Sequence, residues 1–135
     1  MKVNKSFIKF YNATFKFILK LGGLDKLIEY FRKVCPLLIE DLDAFVAKDG
    51  ISGAARYWNK VLPAEHAEYD LKHDDKELVL IMHRCPSVNA LDEPCREYCR
   101  HCSIMYGDLF KKHGYKFELQ KRGPDKCTIK IRRAE

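Results

Sequence analysis

The chain has 135 residues and a formal charge of +6 at neutral pH, with 47% hydrophobic and 33% charged residues. That length suits a single domain able to bury a core without covalent staples, and the composition is ordinary for a globular protein, free of repeats and low-complexity tracts. The basic excess is dispersed (Lys2, Lys5, Lys9, Lys16 and Lys20 at one end; Lys121, Arg122, Lys126, Lys130, Arg132 and Arg133 at the other) and no nucleic-acid module is recognisable, so nucleic acid is not an expected partner.

The opening MKVNKSFIKFYNATFKFILKLGG has basic residues and aromatics, but Lys9, Lys16 and Lys20 interrupt every apolar run. Neither a secretory leader nor a membrane span fits such a pattern, which reads as a cytoplasmic protein. In that reducing compartment the six cysteines are thiols or metal ligands before they are disulfides.

Phe7, Phe10, Tyr11, Phe15, Ile18 and Leu21 recur at helical spacing and predict a helix over about residues 4 to 21, stopped by Gly22-Gly23. A second periodic stretch runs from Leu24 to Lys48, with Pro36 placed to kink or split it and Asp49-Gly50 to end it. Ser52 then caps a shorter helix, GAARYWNKVL, closed by Pro63. The period changes at Tyr69 and Leu71, which alternate with polar residues; His73-Asp74-Asp75-Lys76 reads as a turn, and ELVLIMHRC as a central strand. Asp92-Glu93-Pro94 predicts the start of a helix that runs to His113, with Gly114 as its cap. A second hairpin follows, with Tyr115, Phe117 and Leu119 alternating before a KRGPDK turn and Cys127, Ile129 and Ile131 after it. The expected architecture is one α+β domain: a helical part over residues 1–64, then a ββαββ part over 65–135 forming a four-stranded antiparallel sheet with helices on one face.

The chemistry concentrates in CREYCRHC. On a helix Cys95, Cys99 and Cys102 fall at i, i+4 and i+7, so their thiols share one stripe, continued by Tyr106, Leu109 and His113. Close packing against a sheet is the structural use of such a stripe. Cys85, at the end of the strand just before Pro86, is the expected fourth member, whereas Cys127 and Cys35 read as buried hydrophobes. Four thiolates from Cys85, Cys95, Cys99 and Cys102 suit zinc or an iron–sulfur cluster. Alternatively, Cys85, Cys99 or Cys102 serves as a nucleophile with His83 as general base, because strand parity puts His83 on the side of Cys85. His83, His101, Arg84, Arg96 and Arg100 crowd the same region and would favour a thiolate. His101 is turned about 100° from Cys102 and need not face the same pocket; His66, His73 and His113 read as solvated. No phosphate-binding glycine loop, serine-hydrolase elbow or zinc-protease His pair occurs.

The C-x3-C-x2-C spacing resembles the cluster motif of radical SAM enzymes, but that motif lies in a loop of a large α/β barrel, and only 33 residues follow Cys102 here. A wider pattern is more informative: GAARYWNKVL, a hairpin ending HRCP, the helix cysteines, Gly114, and G-x3-C from Gly123 to Cys127. Over about residues 30 to 133 it resembles the L-2-amino-thiazoline-4-carboxylic acid hydrolase family, and more distantly the 4-vinyl reductase domains. The resemblance implies hydrolysis of a cyclic thiazoline to a cysteine derivative, that is, of a non-peptide carbon–nitrogen bond in a small cyclic amidine; in the reading of this chain a nearby arginine would hold the substrate carboxylate by paired hydrogen bonds. The rival expectation is an iron–sulfur or zinc protein working in electron transfer, sulfur handling or sensing. The aromatic first helix packs on the sheet by default; a homodimer interface through the N-terminal helices, or a lid over a hydrophobic ligand, are its other uses.

Overall fold

The computed structural model describes residues 5–134; Asn4, at the predicted start of the first helix, and the Lys2 charge lie outside them. Helix α1 spans Lys5–Val34, a short 3₁₀ turn Cys35–Leu38 follows, and α2 spans Glu40–Ala64. Strands β1 (Glu68–His73) and β2 (Glu77–Arg84) form the first hairpin. Next come the single turn α3 (Pro86–Asn89), helix α4 (Arg100–Lys112), and the hairpin of β3 (Tyr115–Gly123) and β4 (Lys126–Arg133).

Both long helices are broken at the glycines that the sequence marks as stops. Gly23 adopts φ +77° and Gly50 φ +59°, a left-handed conformation that side chains disfavour. The chain folds back at Gly23, so Tyr11 Oη comes within 2.8 Å of Cys35 Sγ, and the rings of Phe15 and Phe31 meet edge to face at 4.7 Å. Pro36 sits at the head of the 3₁₀ turn that separates α1 from α2.

The sheet is four-stranded and antiparallel with the second strand central, as expected; its order is β1-β2-β4-β3, which makes β4 the other central strand. Register places Leu78 opposite Ile131, Leu80 opposite Ile129 and Met82 opposite Cys127, and Phe117 and Leu119 of β3 extend these rows. That face packs under α2 and α4, and one core joins it to Phe15, Leu27, Phe31, Trp58 and Phe110. The opposite face carries Asp70, Lys72, His83, Lys130 and Arg132, so strand alternation separates core from solvent.

Two expectations are revised. Helix α1 packs on α4 and on its own second half, burying Ile8, Tyr11, Asn12 and Phe15 while Phe7, Phe10, Phe17 and Leu21 stay exposed. The helix predicted from Asp92 begins at Arg100 instead, after a turn over residues 96–99. The cause is distant in sequence. The buried side chain of Asn12 accepts the Cys95 N–H at 2.7 Å and donates to the Glu93 carbonyl at 3.0 Å, holding residues 93–95 against α1 in a non-helical path.

Candidate functional site

Four thiols line one mostly apolar cavity of about 60 Å³: Cys85, Cys99, Cys102 and Cys127. Each arrives by a different route. Strand β2 ends at Arg84, and the Cys85 N–H donates to the Asp125 carbonyl at 2.9 Å, which turns the chain so that Cys85 caps α3. Cys99 caps α4 and Cys102 lies in its first turn. Cys127 sits on the core face of β4, opposite Met82 and Lys121. Leu119 and Tyr98 close the walls, and the exposed Lys121 and Lys126 stand at the mouth beside Asp125.

Burial governs the protonation of these groups. It pushes the Cys102 thiol well above its ordinary range, with Cys85, Cys99 and Cys127 adding to the rise. It carries Cys127 up to about 11, opposed by Lys121, and raises Cys85, where the backbone N–H groups of Val88 and Ser87 work against it. At neutral pH Cys85, Cys102 and Cys127 are therefore protonated.

Cys102 also has a base in contact. His101 Nε2 lies 3.7 Å from Cys102 Sγ, and His101 Nδ1 bonds the Tyr98 carbonyl. A carbonyl only accepts, so Nδ1 carries the proton and Nε2 presents a lone pair to the thiol. The ring is 7% exposed and packs against Tyr11, Phe15, Phe31 and Tyr98. Burial lowers it to about 4, which keeps the imidazole neutral. A thiol, a base and a group orienting that base thus form a chain, the usual equipment of nucleophilic catalysis. His101 does not itself line the cavity, in keeping with its offset of about 100° from Cys102 along the helix, but its Nε2 reaches the Sγ of this neighbour from the core side.

Other candidates stand elsewhere. Cys95 is buried beside Asn12 and does not line the cavity. His83 projects from the outer face of the sheet, where its Nε2 pairs with Asp70 at 2.8 Å; Cys85 lies beyond the strand end, so strand parity does not apply to it. Arg100 is paired with Glu97 at 2.6 Å, Arg84 lies opposite Glu68, and Arg96 is exposed, which leaves Lys121 and Lys126 as the cations nearest the thiols. His113 bonds Asp43 at 2.6 Å instead of being freely solvated. A larger cavity of about 150 Å³ lies between Phe31, Ile39, Met105 and Leu109. Its charged rim is already paired, Arg32 with Asp108 at 3.2 Å and Lys112 with Asp43 at 2.9 Å, and it holds no nucleophile.

The donor set does not suit a metal as arranged. Among the described residues no three His, Cys, Asp or Glu side chains are grouped to hold an ion, and Cys95, expected as a ligand with Cys85, Cys99 and Cys102, lies apart from them.

Fold and cavity together define an α+β protein with a thiol-lined internal site. No family model matches the chain, and no curated protein is significantly similar to it.

Proposed function

We propose that the thiol-lined cavity is the active site of a hydrolase acting on a carbon–nitrogen bond, other than a peptide bond, in a small cyclic amidine that carries a carboxylate. The observation that carries this reading is the contact of His101 Nε2 at 3.7 Å with the Sγ of Cys102, one of the thiols lining a cavity whose mouth is basic. The volume, several times the ~10–15 Å³ that one water needs, suits a small ring and not a nucleotide or peptide. The resemblance of the cysteine pattern to the thiazoline-carboxylate hydrolase family points the same way, with Lys121 and Lys126 replacing the expected arginine as partners for the carboxylate.

The Cys102 thiol adds to the amidine carbon while His101 moves its proton to the ring nitrogen. The ring carbon–nitrogen bond then breaks, its electron pair leaving on a nitrogen that takes up a proton from the exocyclic amino group, whose own pair closes a new C=N bond to the carbon. Water adds to that carbon and expels Cys102, which leaves as the thiol. A resting thiol with a raised pKa needs help, which comes from His101 Nε2 taking up its proton as the carbon–sulfur bond forms, so that no free thiolate has to build up in the apolar cavity.

The test is to incubate the protein with 2-amino-thiazoline-4-carboxylate and a panel of related cyclic amidines, following ring opening by NMR and acyl-type adducts by intact mass. Turnover with a transient adduct on Cys102 is the expected result. Absence of both across the panel, in protein whose thiols titrate as free, would overturn the reading.

A further inference from the structure

Residues 5–23 carry Lys5, Lys9, Lys16 and Lys20 and no acidic residue. On the same stretch of α1, Phe10 is 70% exposed, Phe17 64%, Leu21 70% and Phe7 48%. At about 100° per residue the four apolar side chains fall within an arc of about 80° and the four lysines within one of about 60°, the two arcs sharing the outward half of the helix. Aligned phenylalanines on a surface are more than scattered apolar residues, which need no explanation.

We propose that this face of α1 docks on an anionic lipid surface, with Phe7, Phe10, Phe17 and Leu21 entering the boundary between headgroups and acyl chains and the lysines meeting lipid phosphates and carboxylates. Charge decides the occupant. A second copy would present the same lysines with no acid on this segment to meet them, whereas an anionic membrane complements both arcs at once. Among the described residues the cross-element ion pair of these lysines is that of Lys16 with Glu93 at 3.8 Å, and Glu93 is itself exposed and readily exchanged for a lipid anion. The helix lies in the interface plane and does not cross it, since no helix of the described residues is long and apolar enough to span a membrane.

Flotation of the purified chain with vesicles of mixed phosphatidylserine and phosphatidylcholine, against vesicles of phosphatidylcholine alone, tests this. The protein should float with the anionic vesicles only and be released by salt. Phe10→Ser with Phe17→Ser, and separately Lys9→Gln with Lys20→Gln, should each weaken binding by about tenfold or more while circular dichroism stays unchanged. Equal partition to both vesicle types, or none to either, would overturn the proposal. So would a dimer, seen by light scattering, that the phenylalanine variant dissociates in a protein that does not float; that result would assign the face to a second copy.

Discussion

Residue by residue, the site turns on His101. Its imidazole is neutral because aromatic rings enclose it, and its tautomer is set by the Tyr98 carbonyl. Replacing Cys102 with serine should reduce turnover by at least about a hundredfold, since a hydroxyl in this setting is a far weaker nucleophile. His101→Phe, which keeps the aromatic packing, should lower kcat by about a hundredfold or more with KM little changed, the split expected of a lost base. Cys99→Ser leaves the dyad in place and is expected to act on KM more than on kcat; steady-state kinetics of the three variants separates these roles. Stability provides an independent readout. In the unfolded chain a histidine takes up a proton near pH 6.5, whereas folded His101 resists protonation until about pH 4. The unfolded state therefore binds more protons between those values, and stability falls as the pH is lowered through that window, by roughly 3 kcal/mol in all. Glu65, whose carboxyl burial raises, works in the opposite sense near its ordinary value, so the comparison that matters is with His101→Phe. Urea unfolding at pH 7 and pH 4.5 should show a smaller loss in that variant than in the parent.

At the scale of elements, breaks in the helices decide what the cysteines do. The stops at Gly23 and Gly50 and the split at Pro36 were readable because glycine and proline act through local backbone geometry. The start of α4 was not readable, because it depends on Asn12, far away in sequence. Asn12→Ala should cost about 1–3 kcal/mol in chemical denaturation, since it strands the N–H of buried Cys95. The Gly50 kink also folds α2 onto itself, so that a methyl group at Gly53 would run into the Phe45 carbonyl, which is backbone and cannot swing aside. Gly53→Ala should therefore destabilise the protein by about 1–3 kcal/mol despite alanine's better helix propensity, which thermal melts would reveal.

For the whole molecule, sheet and helices share a single core, and the thiol cavity lies where both hairpins, α3 and α4 meet. Anaerobically purified protein should carry iron and zinc well below one per chain, because the grouped ligands that a resident ion needs are lacking among the described residues. Elemental analysis with thiol titration checks this; stoichiometric metal would mean that the cysteines rearrange to bind it. Hydrophobic periodicity, glycine and proline punctuation and strand alternation were enough to place the helices, both hairpins and the four-stranded sheet, since each is a property of neighbouring residues. They also singled out Cys85, Cys99 and Cys102. Only the tertiary structure shows that Cys127 and not Cys95 lines the cavity, and that His101 and not His83 touches one of its thiols. Which side chains meet in a cavity depends on where elements end and how they pack, and here that is decided by one buried asparagine and by a sheet register that brings Cys127 beside the end of β2.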